Sequence, residues 1–115
     1  MRPHSVGVNL TPATKTTIFT VPTRSLASWK VLYAINRSAT AKEFSCWWYD
    51  VSTDTEIAIT DAYSLTAKNF FLLGDGNYIV LDEGDEIRAE SETGSNTSII
   101  ITVELDNRST VQNFA

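Results

Sequence analysis

Apolar side chains recur at every second position along much of this 115-residue chain, which is the period of a β-strand and not of a helix. In residues 28–36, SWKVLYAIN, one face carries Trp29, Val31, Tyr33 and Ile35. Residues 97–105, TSIIITVEL, place Ile99, Ile101, Val103 and Leu105 together in the same way. Such runs fit the two faces of a pleated sheet, so the pattern predicts a protein built from strands.

Shorter runs of the same character lie between and before these two. They are TTIFTV (16–21), EFSCWWYDV (43–51), EIAIT (56–60), NFFLL (69–73), NYIVL (77–81) and EIRAE (86–90). The breaks contain Asn, Asp, Gly or Ser, which favour chain reversal, and residues 61–69, DAYSLTAKN, are interpreted as a loop entering a strand. About eight strands at this spacing predict an all-β protein, a single antiparallel β-sandwich of jelly-roll or immunoglobulin-like type.

Both ends of the chain differ from the middle. Residues 1–14 include two prolines and show little periodicity, and residues 106–115 are polar apart from Val111 and Phe114. We therefore predict an N-terminal arm (1–14), a β-sandwich domain (15–105) and a C-terminal tail (106–115). Such ends either fray or become ordered against a neighbouring subunit, and the isolated ring of Phe114 favours the second.

Charge and composition exclude several classes of partner. The net charge of −5 does not suit contact with phosphates or with an anionic membrane, so we expect no direct nucleic acid and no membrane partner. No apolar run approaches the roughly 18 residues of a membrane span, and the N-terminus lacks the apolar core of a signal peptide. The single cysteine, Cys46, rules out an internal disulfide.

The residues needed for catalysis or metal binding are also sparse. The only histidine, His4, lies in the predicted arm, and Cys46 lies within a strand pattern as a core thiol would. We therefore predict no enzyme, no cofactor and no metal site. The acidic turns GDGN (74–77) and DEGDE (82–86) lack the spacing of a dedicated calcium loop, and turn chemistry explains them, although calcium stays open as an alternative.

The stretch FSCWWYDV (44–51) is the best candidate for a contact surface. In a strand, Phe44, Cys46 and Trp48 face the core, which leaves Trp47 and Tyr49 on the outer face of the sheet. Three explanations are open: another part of the same chain covers these rings, a protein partner contacts them, or they form a flat platform for a sugar ring. The predicted partner-contact residues are Trp47, Tyr49 and Phe114.

Several segments within residues 15–105 form a recognisable layout. In the first half they are Thr20-Val21-Pro22, the strand from Trp29 to Asn36, the turn Asn36-Arg37-Ser38 and Trp48-Tyr49-Asp50. In the second half they are Gly74-Asp75-Gly76, Val80 to Ala89 and the closing strand Ile99 to Leu105. With this layout the chain resembles small β-sandwich virion proteins of tailed bacteriophages. The chain departs from the usual pattern after "TVP", where Thr23-Arg24-Ser25 stands in place of a glycine.

The resemblance implies a non-enzymatic virion structural protein of the neck or collar, the tail, or the capsid decoration type. The partners it implies are other virion proteins (portal or neck, tail or major capsid protein) and copies of itself. The location it implies is the virion, after synthesis in the cytoplasm of a bacterial host. The alternative that the aromatic face leaves open is a carbohydrate-binding module that recognises a host glycan.

Overall fold

The computed structural model describes residues 2–74 and 76–107, and within these residues the chain forms nine β-strands and no helix. The strands are β1 (Arg2–Asn9), β2 (Thr16–Thr20), β3 (Ser25–Asn36), β4 (Lys42–Asp50), β5 (Thr55–Leu65), β6 (Phe70–Leu73), β7 (Ile79–Leu81), β8 (Glu86–Ser91) and β9 (Thr97–Asn107). Each of the eight predicted runs corresponds to one of the strands β2 to β9. The expectation of an all-β protein is therefore confirmed.

The strands form two antiparallel sheets that pack face to face. Sheet I has the order β1-β9-β3-β6, and β7 also pairs with β3, on the side that β6 occupies. Sheet II has the order β2-β8-β4-β5. If β6 and β7 are treated as one interrupted strand, each sheet has four strands, and this order is that of a jelly roll and not of an immunoglobulin-like sandwich.

The chain is one long hairpin that has been rolled up. Its tip is the turn between β4 and β5, where Asp50 pairs with Thr55, and its open end pairs Arg2 with Leu105. Successive levels of the hairpin pair β3 with β6 and β7, β2 with β8, and β1 with β9. Rolling then brings β9 beside β3 and β8 beside β4, which closes the two sheets.

The core lies between the sheets and is supplied by alternate residues of the strands. Among its fully buried side chains are Leu32, Phe44, Cys46, Leu81, Ile87, Ile99, Ile101 and Val103. The pleat predicted for FSCWWYDV is present, because Phe44 and Cys46 are buried and Trp48 packs against the core. Burying these apolar side chains supplies most of the favourable free energy of folding.

The predicted face of β3 is wrong over half its length. Between Trp29 and Val31 the pairing of β3 with β9 shifts by one residue, a β-bulge that leaves Lys30 as the extra residue. Trp29 therefore stays on the inner face, whereas Val31, Tyr33 and Ile35 turn outward. The inner face beyond the bulge is supplied by Leu32, Ala34 and Asn36.

The loop interpretation of residues 61–69 is also wrong for its first part, since β5 continues to Leu65. The pairing of β4 with β5 is irregular around Cys46, and Ala62 on β5 has a φ of 51°. The Ser45 Oγ accepts a hydrogen bond of 2.8 Å from the backbone N–H of Ala62. A side chain thus replaces a missing backbone bond and carries the strand through its irregularity.

Strands β1 and β9 include residues outside 15–105, the predicted range of the sandwich. Residues 2–9 of the predicted arm form strand β1 on the edge of sheet I, where Val6 and Val8 pack against the core. Strand β9 continues to Asn107. Phe114 lies outside the described residues. Whether either end orders against a neighbouring subunit stays a prediction.

A buried carboxylate joins three of the motif segments. Asp85 is 1% exposed, and its carboxylate accepts hydrogen bonds from Trp48 Nε1 at 3.2 Å and from the backbone N–H groups of Val51 and Asp82 at 3.1 and 3.0 Å. The backbone of Val21 pairs with the same turn through Asp85 and Gly84. These residues of "TVP", "WYD" and "GD" therefore act together to hold strand ends in place.

Candidate contact surfaces

Trp47 and Tyr49 lie on the outer face of sheet II, as predicted, and each is covered by a cation from the same chain. Lys15 Nζ lies 4.1 Å from the centroid of a Trp47 ring, and the Arg88 guanidinium carbon lies 3.9 Å from the centroid of the Tyr49 ring. Both rings are half-buried. The first of the three explanations, cover by the same chain, therefore accounts for part of their surface.

Glu56 holds the two covering cations in place. Its carboxylate lies 2.8 Å from Lys15 Nζ and 3.1 Å from Arg88 Nη1. The hydrogen bond from Lys15, supported by the one from Arg88, holds the pKa of Glu56 below its ordinary value. A second carboxylate, Glu86, pairs with Arg88 Nε at 2.8 Å. The outer face of sheet II is thus a network of charges laid over two aromatic rings.

This network changes what the aromatic pair can bind. A sugar that stacked on Trp47 or Tyr49 from the covered side would have to displace Lys15 or Arg88. The hydroxyl of Tyr49 is also engaged, because it donates a hydrogen bond of 2.6 Å to Asp54, and this bond raises the pKa of the phenol above its ordinary value. The role of Trp47 and Tyr49 as partner contacts stays a prediction.

A shallow groove of about 200 Å³ runs beside Trp47. Its polar lining includes three carboxylates, from Glu43, Glu90 and Glu92, and the hydroxyl of Ser45. The Glu92 carboxylate accepts a hydrogen bond of 2.8 Å from the backbone N–H of Glu43, which fixes one wall of the groove. Carboxylate oxygens beside the edge of an aromatic ring can accept hydrogen bonds from the hydroxyl groups of a sugar.

A second surface, on the opposite side of the molecule, is apolar. We define the sheet I patch as the five outward side chains Tyr33, Ile35, Phe70, Leu72 and Ile100. Tyr33 is paired with Leu72 on one side and Ile100 on the other, and Ile35 is paired with Phe70. The rings of Tyr33 and Phe70 lie 5.7 Å apart. These side chains form a continuous apolar surface across β9, β3 and β6.

The sheet I patch is well exposed. Leu72 is 60% exposed, Phe70 53% and Ile100 42%. Gly7 of β1 lies opposite Ile100 and brings no side chain to shield it. An outward face of an antiparallel sheet is ordinarily polar, so this surface departs from the usual pattern. Simple alternation along β3 would place Tyr33 and Ile35 on the same face as Trp29, so the sequence alone does not reveal this surface.

The remaining candidate groups have structural surroundings. Burial raises the pKa of the Cys46 thiol to about 12, which keeps it protonated and a poor nucleophile. Three of the carboxylates considered for calcium are already engaged. Asp85 accepts the hydrogen bonds described above, Glu83 accepts one from the Arg24 N–H, and Glu86 pairs with Arg88. Within residues 2–74 and 76–107, no group of three His, Cys, Asp or Glu side chains is arranged to hold a metal ion.

The same described residues contain no helix long and apolar enough to cross a membrane.

No protein-family model and no curated protein matches the sequence. Among solved structures, the fold is similar to that of a chain from Bacillus endospore appendages, which form a family of disulfide-linked pili. The identity is 13%, the TM-score is 0.51, and the match covers 93% of this chain and 86% of that one. At this identity the similarity shows the fold alone.

A chain from infectious bursal disease virus, Gt strain, matches with a TM-score of 0.48 and 11% identity. The match covers 95% of this chain and 37% of the viral one, so the present chain corresponds to little more than a third of that protein.

Proposed function

We propose that this chain is a non-enzymatic structural subunit that assembles with copies of itself, and that the sheet I patch is a contact in the assembly. The observation that supports the proposal is the exposure of Phe70, Leu72 and Ile100 on an outer sheet face, which would ordinarily carry polar side chains. Contiguous apolar surface on a soluble protein marks interaction sites. Strand β6 also lies at an edge of its sheet, where an apolar strand is prone to unwanted pairing unless a partner covers it.

The assembly we propose is the virion of a tailed bacteriophage, at the neck or collar, the tail or the capsid. The support is the resemblance of residues 15–105 to virion sandwich proteins, carried by segments such as Trp48-Tyr49-Asp50 and Val80 to Ala89. The proposed partners are copies of the chain and a portal or neck, tail or major capsid protein. The fold is similar to that of a chain from pili, which is consistent with a role in assembly.

Subunit linkage by disulfides, as named for the pili, has no counterpart here. The one cysteine, Cys46, is buried in the core, so it cannot reach a neighbour without unfolding. Non-covalent contacts must therefore hold the proposed assembly. Many copies in a ring or lattice gain from avidity, so each contact can be weak by itself.

Trp47 and Tyr49 are retained as a second proposed contact, on the sheet opposite the patch. A partner at this face would meet Lys15, Arg88 and Glu56 together with the ring edges, so the contact would be charged and sensitive to salt. The sheet I contact would be apolar and nearly insensitive to salt. Salt dependence therefore separates the two surfaces.

Sedimentation equilibrium of three proteins tests the proposal. The Phe70→Ser and Leu72→Ser double variant removes the apolar side chains of the patch from an edge strand, and the Trp47→Ala and Tyr49→Ala double variant alters the opposite face. We expect the patch variant to weaken self-association at least tenfold relative to the wild type, with an unchanged circular dichroism spectrum. Equal association of the patch variant and the wild type would overturn the patch as the contact.

The second candidate function is a carbohydrate-binding module for a host glycan. The groove that joins Trp47 to the carboxylates of Glu43, Glu90 and Glu92 favours it. Titration of host polysaccharide while tryptophan fluorescence is recorded tests this function, with Trp47→Ala as the control. A saturable change that the control lacks would support it, and no change at millimolar sugar would count against it.

A further inference from the structure

An apolar cleft opens at the side of the sandwich where the edge of sheet I is interrupted. Strand β6 pairs with residues 32–35 of β3, and β7 pairs with residues 27–29, so the chain between them leaves the sheet opposite Lys30 and Val31. The inner side chains Trp29 and Leu32 form the floor of the cleft. Its walls are formed by Ile59 of β5 and by Leu73 and Ile79 at the facing ends of β6 and β7.

The backbone of β3 and of the segment after β6 determines the shape of the cleft. The bulge in β3 leaves the carbonyl of Val31 available, and Trp29 Nε1 donates a hydrogen bond of 3.0 Å to it. Gly74 lies so close to β3 that a Cβ added to it would be 3.4 Å from the carbonyl oxygen of Lys30. The hydrogen bond of the Trp29 indole and the close packing of Gly74 against β3 fix the geometry of the interrupted edge of sheet I. The opening is therefore a fixed feature of the structure.

The size and chemistry of the cleft suit one apolar side chain. The volume of this open cleft is about 120 Å³, which is of the same order as the roughly 150 Å³ apolar cavity that binds a benzene ring. The charged residue of the lining is Lys30, whose Nζ lies 4.3 Å from the centroid of the Tyr78 ring. A phenyl ring presented by an extended peptide is the ligand that this shape favours.

We infer that the cleft receives Phe114 from the C-terminal segment of a second copy of this chain. Residues 108–115 follow the last described residue, Asn107, and Phe114 is the only aromatic residue among them. Arg108 is the only residue of this segment with a charged side chain. This inference rests on the proposed self-association and names a contact for it.

The direction of β9 favours the cleft of another copy over that of the same chain. Asn107 pairs with Ser25, and the preceding residues of β9 pair progressively nearer the cleft, so β9 leaves the sheet heading away from it. At about 3.4 Å per residue and about 4.8 Å per strand, Asn107 lies about 20 Å from its own cleft.

A tail that enters another copy can be exchanged reciprocally within a two-fold dimer, or it can be passed from each copy to the next in a closed ring or an open filament. The sheet I patch consists of outward side chains, whereas Trp29 and Leu32 at the floor of the cleft point inward, so the two contacts use different side chains. The two contacts are therefore separable by mutation.

A peptide titration tests the inference with the full-length protein. The receptor is the Phe114→Ala variant, whose own tail cannot compete, and the probe is a synthetic peptide of residues 107–115, NRSTVQNFA. We expect the peptide to shift the NMR signals of the Trp29 indole N–H and of the Ile59 and Leu73 methyl groups in a saturable manner. The matched peptide with alanine in place of Phe114 should leave them unshifted.

Two results would overturn the inference. One is the absence of shifts at these three residues with millimolar peptide, and the other is an equal response to both peptides. A second measurement uses Leu73→Asp, which places a charge at the exposed mouth of the cleft, and we expect this variant and Phe114→Ala each to weaken self-association at least fivefold. If both associate normally while the patch variant does not, the tail contact fails and the proposed function stands.

Discussion

At the scale of single residues, the carboxylate of Asp85 shows how a turn residue can hold a fold together. It is buried beside the end of β4, and its three hydrogen-bond donors come from Trp48, Val51 and Asp82. The sequence predicts a turn at DEGDE but gives no sign that one of the four acidic side chains points inward. That choice depends on where Trp48 lies, which only the packing of the two sheets decides.

Replacing Asp85 should be costly. We expect Asp85→Ala to lower the free energy of unfolding by about 3 kcal/mol, because it leaves buried donors without an acceptor. Urea denaturation followed by circular dichroism measures this. The control is Asp61→Ala at an exposed position of β5, which should change the free energy by less than about 0.5 kcal/mol. Equal midpoints for the two variants would show that the Asp85 bonds contribute little.

The buried thiol of Cys46 predicts a loss of stability at high pH. Its pKa is about 12 in the folded protein against 9.0 for an ordinary thiol, so the folded state retains a proton that the unfolded state releases. Stability is therefore complete below about pH 9 and is lost as the pH rises toward 12, at up to about 1.4 kcal/mol per pH unit.

Comparison with Cys46→Ala isolates this effect from the titration of tyrosines and lysines. Between pH 8 and 10.5 the wild type should lose about 1 to 2 kcal/mol more of its free energy of unfolding than the variant does. Urea denaturation at each pH provides both curves. If the free energies of unfolding of the two proteins fell in parallel as the pH rose, the raised pKa of the Cys46 thiol would be contradicted.

At the scale of elements, alternation predicts strands wherever the chain is regular and fails where it is not. Eight of the nine strands were identified, because β-branched and aromatic residues alternate in them. Strand β1 was missed since RPHSVGVN contains Pro3 and Gly7, which weaken a strand pattern. The bulge at Lys30 was missed because nothing in SWKVLYAIN requires the register to shift.

The error in β3 matters most for the contact surface. Without the bulge, Trp29 and Tyr33 would share a face, and the sequence offers no reason to separate them. The shift sends Tyr33 and Ile35 outward beside Phe70 and Leu72. The sheet I patch is therefore a property of register, which the sequence of one strand does not specify.

Strand β1 should exchange its amide hydrogens faster than its neighbour. It is an edge strand with pairing only to β9, and most of its residues are exposed, whereas β9 lies between β1 and β3. We expect peptides from residues 2–9 to exchange at least tenfold faster than those from residues 98–105 by hydrogen-exchange mass spectrometry. Equal protection of the two segments in the Phe70→Ser and Leu72→Ser variant would show that β1 is more firmly held than its pairing indicates.

At the scale of the whole molecule, the rolled hairpin gives the two outer faces different chemistry. The outer face of sheet II carries paired charges over Trp47 and Tyr49, and the outer face of sheet I carries exposed apolar side chains. The sequence predicted the first face correctly from the pleat of FSCWWYDV. It gave no sign of Lys15 and Arg88 above the rings, because these residues come from distant parts of the chain.

The central claim is that the chain assembles with copies of itself. The most direct test is the solution mass of the full-length wild type, measured by size-exclusion chromatography with light scattering across a hundredfold range of concentration. We predict a mass that is an integer multiple of the monomer, that falls on dilution, and that is largely retained in high salt because an apolar contact supplies most of it. The monomer mass at every concentration and salt would contradict the account.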